Sequence, residues 1–157
     1  MASSVSTVKF FANNCVEMFT HMPADGATEQ SVKKGTTTTT WRALRDYEGF
    51  AVGACQAVKG GNGMVELSIY AAESSAGANA TEIKTTGVIA ADAIGDYALL
   101  ECSAEEINQI GRPLGYAFTH VAGYIDSQHN DDEQGVVYIR FGAKNAAAGL
   151  SATTISA

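Results

Sequence analysis

Apolar residues recur at every second position through most of this chain. In MVELSIYAA, Val65, Leu67, Ile69 and Ala71 alternate with Glu66, Ser68 and Tyr70, the period of a half-buried strand. FAVGACQAV, from Phe50 to Val58, is a run of small apolar residues and reads as a more buried strand. Between the two, Gly60, Gly61, Asn62 and Gly63 supply the positive φ angles of a tight turn, which predicts a hairpin. Further strands are expected in TEIKTTGVIAA (81–91), DYALLECS (96–103), GYAFTHVAGYI (115–125) and GVVYIRFGA (135–143). In the last, Val137, Ile139 and Phe141 face one way and Tyr138 and Arg140 the other. The Thr-rich GTTTTTWRAL (35–44) reads as a strand near an edge, with a disordered linker as the alternative. Phe10 to Met22 fits neither the helical nor the strand period cleanly.

One helical signature stands out. SAEEINQIG places Ser103 as N-cap and Glu106 three residues on, a capping box, with Gly111 closing and Pro113 beyond. It predicts a helix of about two turns near 103–110. The expected fold is therefore all-β, a β-sandwich (Ig-like or jelly-roll-like) of about seven to eight strands with that one short helix. Residues 35–145 form the sandwich, 1–34 an N-terminal arm or first strand, and 146–157 a C-terminal tail.

Composition narrows the function. The chain has 157 residues, 46% hydrophobic and only 17% charged, so Ser, Thr, Asn, Gly and Ala must meet much of the solvent. Such a surface suits contact with another protein. A net charge of −7, with no basic cluster larger than Lys33-Lys34 beside Arg42 and Arg45, argues against nucleic acid as a partner. No apolar run approaches a membrane span, so no membrane partner is expected, and the N-terminus lacks the pattern of a signal peptide. Cys15, Cys55 and Cys102 are three, widely spaced and without a CxxC pair; Cys55 and Cys102 sit in apolar runs and read as reduced cysteines acting as small hydrophobes, with a disulfide as the alternative.

Candidate chemistry is sparse. No GxxxxGK[ST], GxSxG or HExxH occurs, and His21, His120 and His129 stand alone. Asp126, His129, Asp131, Asp132 and Glu133 crowd into one stretch and could hold a cation. Counted as a calcium loop from Asp126, however, the sixth position is Asp131 where glycine is required, and the twelfth is Val137. The stretch reads instead as the solvated tip of a hairpin between Tyr116–Ile125 and Val137–Phe141. His120, alternating with Tyr116, Phe118 and Tyr124, reads as a structural or interface residue. No catalytic, cofactor-binding or metal residue is assigned, no cofactor is expected, and the chain is expected not to be an enzyme.

The order of features from Gly49 to Gly142 carries a resemblance: a small-residue strand, a glycine turn, MVELSIYAAESS, a Thr-rich strand, DYALLECSAEEI, then a strand opening on GYAF. This resembles the small β-sandwich virion proteins of tailed bacteriophages, of the head-decoration or capsid-cement kind. Where related chains read Gly-Tyr-Arg-Tyr before a basic residue, this one has Gly115-Tyr116-Ala117-Phe118-Thr119-His120, without the basic position. The resemblance implies a non-enzymatic structural protein. It implies a homotrimer whose partner is the major capsid protein, assembled in the host cytoplasm and placed on the virion surface. It carries no catalytic residues. A phage neck, head-completion or tail protein is the alternative within that class. A carbohydrate- or ligand-binding sandwich, using Trp41, Tyr70, Tyr116, Phe118 and Tyr124, is the alternative outside it.

Overall fold

The computed structural model describes residues 15–21, 41–58, 60, 63–89, 93–127 and 133–142. Along the chain these form β1 (Cys15–His21), β2 (Arg42–Ala43), β3 (Gly49–Val58), β4 (Met64–Ala72), β5 (Thr81–Thr85), β6 (Tyr97–Ser103), α1 (Ala104–Leu114), β7 (His120–Ser127) and β8 (Glu133–Phe141). Two antiparallel four-stranded sheets result. Sheet I runs β1-β8-β3-β6 and sheet II runs β2-β7-β4-β5. Each of β1 to β4 pairs with the strand counted equally far from the other end: β1 with β8, β2 with β7, β3 with β6, β4 with β5. This is the strand order of a long hairpin rolled into a sandwich. It settles the expected β-sandwich as jelly-roll-like rather than Ig-like.

The two sheets close on one core. Phe50, Val52 and Ala54 of β3, Cys102 of β6 and Tyr138 of β8 face Leu67, Ile69 and Ala71 of β4 and Val121 and Ile125 of β7. Leu44, Ile107 of α1 and Phe118 complete it. Phe50 lies nearly parallel to Tyr138, ring centroids 6.0 Å apart. Each large apolar side chain fully removed from water contributes about 1.5–3 kcal/mol, and Phe50, Leu67, Ile69 and Ile107 are completely covered. One polar pair sits among them: the Gln134 amide donates to Gln56 Oε1 at 2.9 Å, and Gln56 donates to the Val58 carbonyl. Both amides are buried, and such groups are tolerated because they are hydrogen-bonded.

Several local expectations are corrected. The glycine turn after β3 does not close a hairpin, because β3 lies in sheet I and β4 in sheet II. The stretch after β7 is likewise no hairpin tip: β7 pairs with β2 and β4, whereas β8 pairs with β1 and β3. Both are crossings between sheets. Val58 lies opposite Glu133 and Met64 opposite Ser127, so the two crossings leave the same end of the sandwich side by side. Strand alternation is a local property and is the same whether the next strand pairs within the sheet or folds over onto the other one.

The helix is also longer than expected. It runs to Leu114, with Pro113 in its last turn, and stops at Gly115 in the left-handed conformation (φ 73°). Gly111 does not close it. A side chain there would lie 2.8 Å from the Tyr116 carbonyl and 3.0 Å from the Phe118 ring, so Gly111 is where the chain folds back on the helix. That return shortens the strand expected from Gly115. Tyr116 N–H is taken by the Gly111 carbonyl and Ala117 N–H by the Glu73 carboxylate, so pairing begins only at His120. Phe118 consequently turns into the core and does not share a strand face with His120 and Tyr124. The strand expected over 81–91 ends at Thr85, shortly before Gly87 (φ 64°). Of the Thr-rich strand only Arg42–Ala43 is seen as β2, and 35–40 lies outside the described residues. The segment of mixed period near the N-terminus is a strand over Cys15–His21.

Candidate interaction surface

The outward face of sheet I is made by three adjacent strands whose side chains alternate between the core and the side away from sheet II, where Gly49, Ala51 and Gly53 of the middle strand are themselves covered. On β6, Ala98, Leu100 and Cys102 turn inward, and Tyr97, Leu99 and Glu101 turn outward. Cross-strand register carries this face over β3 and β8. Leu99 lies beside Gly53 and Val137, Glu101 beside Ala51 and Ile139, Tyr97 beside Cys55 and Gly135, and Ser103 beside Gly49 and Phe141. Glu101 is the one charged residue in these four rows.

The middle strand supplies a floor of small residues. A Cβ at Gly53 would meet Val137 Cγ1 at 3.1 Å and Leu99 Cδ1 at 3.5 Å, so the flanking side chains lean together over the glycine. At Gly49 the Phe141 ring occupies the space of a side chain, 2.2 Å from an ideal Cβ. The apolar row thus runs unbroken from β8 to β6. It is most open at the β6 edge, where Tyr97 is 79% and Leu99 59% exposed. Ile94, in the turn leading into β6, and Val58, at the adjacent end of β3, are also exposed. Cys55 belongs to this face too, as a free and exposed thiol.

The outer face of sheet II is built differently. Tyr70 and Tyr124 pack with ring centroids 4.5 Å apart, Trp41 meets Tyr124 edge-on at 6.3 Å, and the Tyr70 hydroxyl donates to Glu82 Oε2 at 2.9 Å. Trp41 is wedged against Gly77, whose φ of 78° holds the β4–β5 loop over the indole. Of the five aromatic residues proposed for a sugar site, these three come together. Tyr116 and Phe118 lie elsewhere, against the core. Tyr70 and Tyr124 are 9% and 5% exposed, so the cluster is packed and presents no open aromatic platform. Arg45, one of the basic residues near Lys33-Lys34 in sequence, points to solvent beside Asp46 at 4.0 Å.

A cleft of about 250 Å³ opens between α1 and the β5–β6 side, lined by Ile83, Lys84, Cys102, Glu106, Gln109 and Ile110. Its charges satisfy one another. Lys84 Nζ lies 3.6 Å from Glu106 and donates to the Glu101 carbonyl at 2.9 Å, clasping the two sheets at their open side. Burial, with the Glu106 carboxylate nearby, pushes the Cys102 thiol up to about 12, so it stays protonated and unreactive at neutral pH.

Of the acidic stretch, Asp126 falls in β7 opposite Glu66 and Glu133 in β8 opposite Val58, in different sheets. His129, Asp131 and Asp132 lie outside the described residues. Among the described residues no group of three His, Cys, Asp or Glu side chains is placed to hold a metal ion. No helix among them is long and apolar enough to cross a membrane. His120 accepts or donates one bond, Nδ1 to Thr119 Oγ1 at 2.8 Å, at the start of β7. No family model, curated protein or solved structure matches this chain.

Proposed function

We propose that this chain is a non-enzymatic structural protein of a tailed-phage virion, of the head-decoration kind. In this reading it seats the outer face of sheet I on the capsid and ties neighbouring major capsid subunits together. The observation that carries the proposal is the apolar row Val137–Gly53–Leu99 and its neighbours, covered along β3 as far as Gly53, half-buried on β8 and exposed at Tyr97 and Leu99, with Glu101 as the lone charge, on a chain of net charge −7. Contiguous apolar surface left in water is unfavourable by roughly 25 cal/mol per Å², and on folded proteins it marks a contact surface. The order of features from Gly49 to Gly142, which resembles decoration proteins, indicates what that contact is. A flat β face of small and branched residues suits adhesion, since strength can come from many modest contacts made at once on a repeating lattice.

The test is quantitative mass spectrometry of gradient-purified virions from cells producing this chain. The expected result is a copy number in fixed, near-stoichiometric proportion to the major capsid subunit. Absence from the particles overturns the proposal. A copy number on the scale of a single ring transfers the chain to the neck or tail.

A further inference from the structure

β6 is the edge strand of sheet I, and its hydrogen-bonding phase shows which of its backbone groups are open. Gln56 N–H donates to the Asp96 carbonyl at 2.8 Å, and at the other end Ala104 N–H donates to the Glu48 carbonyl at 2.7 Å. Both bonds fix the same phase. Ala98, Leu100 and Cys102 turn N–H and C=O toward β3, so Tyr97, Leu99, Glu101 and Ser103 turn theirs outward. Ser103 N–H is capped by Glu106 Oε2 at 2.7 Å, and one lone pair of the Glu101 carbonyl is held by Lys84. Among the described residues no strand pairs with this side of β6. The open edge is therefore Tyr97, Leu99 and Glu101, with Tyr97 and Leu99 among the most exposed large apolar residues of the chain. An exposed apolar edge with unpaired backbone groups is a template for another strand.

We propose that the strand it receives is β6 of a second copy, antiparallel, about a two-fold axis at Leu99. Three features of the edge select this occupant. First, the open positions are symmetric about Leu99. Centring there lets all three open residues of each copy meet the open residues of the other, as three hydrogen-bonded pairs. Second, that register sets each Glu101 across from Tyr97 of the other copy, whereas centring on Glu101 would oppose two carboxylates. Third, a two-fold contact is closed. It satisfies the edge of both copies without leaving a new one.

The product is a continuous eight-stranded sheet, β1-β8-β3-β6 joined to its symmetry mate, with two Leu99 side chains touching at the axis. The outer faces of both copies merge into one apolar surface. The inference does not rest on the capsid reading. A two-fold pair also differs in stoichiometry from the homotrimer that the resemblance implies, so one mass measurement separates them.

The experiment is sedimentation equilibrium of the full chain over a wide concentration range, with three variants and thermal unfolding of each as a check on folding. Wild type is expected to reach twice the 16.4 kDa chain mass. Tyr97→Glu sets a carboxylate opposite Glu101 at two symmetric places and is expected to raise the dimer dissociation constant by about tenfold or more. Adding Glu101→Lys to Tyr97→Glu restores opposite charges in the same register and brings the constant back toward wild type. Leu99→Arg, with two cations at the axis, is expected to be monomeric. A wild-type monomer at every concentration, a trimer, or a dimer indifferent to Tyr97→Glu and Leu99→Arg overturns the proposal.

Discussion

Gly123 shows how closely the two sheets are set. It lies on the core side of β7, and a Cβ there would be 2.5 Å from the Tyr138 ring and 2.6 Å from Val52 Cγ2. Both obstacles are buried side chains of the opposite sheet, with little room to give. Gly123→Ala is therefore expected to cost about 1–3 kcal/mol, read by chemical denaturation, as an overpacked core does. The Gln56–Gln134 pair makes the opposite point about polarity. Gln56→Leu keeps the volume and leaves the Gln134 amide without its 2.9 Å acceptor in a buried place. It is expected to cost about 1–3 kcal/mol by the same measurement, the cost of breaking a hydrogen bond between buried polar groups. No change at either glutamine position would contradict the role given to the pair. Neither feature is legible as sequence. Gly123 in a strand pattern signals only that something approaches closely, and the two glutamines are 78 residues apart.

At the scale of elements, the capping box of α1 is the local structure most fully specified by its residues. Ser103 Oγ accepts from Glu106 N–H at 3.1 Å, and Glu106 Oε2 accepts from Ser103 N–H at 2.7 Å. Ser103→Ala is expected to cost about 0.5–2 kcal/mol of stability. The Ser103 backbone N–H, then its hydroxyl, then Lys84, hold the Glu106 carboxyl below the ordinary glutamate range. A folded-state pKa below the unfolded one stabilises the fold above that range, and the contribution is lost as pH falls through it. The melting difference between wild type and Glu106→Gln should therefore shrink as the solution is acidified from neutral through the carboxylate range. A gap that stays constant or widens would mean the charge plays no part.

The cap was readable because every residue it needs lies within one turn. β4, β6 and β8 were readable for a similar reason, since alternation is written into consecutive positions. The crossings were not. Whether a strand pairs with its successor or folds onto the other sheet is decided by partners far away in sequence. β8 shows the limit most sharply. Val137, Ile139 and Phe141 are its more hydrophobic side, yet it is Tyr138 that enters the core and the apolar side that faces out. A pattern rule fixes which residues share a face and says nothing of which face is wet.

For the molecule as a whole, that inversion is the feature with functional weight. The jelly-roll order leaves sheet I with one face sealed by sheet II and the other turned away from it, and that outer face is apolar in the rows from Gly49 to Cys55 and exposed along β6. Stability does not require this, because polar residues would serve an exposed sheet face better. Contact does. The most direct measurement is rebinding of the purified chain to capsids assembled without it, comparing wild type with Val137→Asp on this face and Ser75→Asp in the exposed β4–β5 loop, Val137 lying two strands from the β6 edge. Wild type and Ser75→Asp should bind saturably and raise the temperature at which the shells come apart, and Val137→Asp, still folded, should do neither. Equal binding by all three, or none by wild type, would contradict the account.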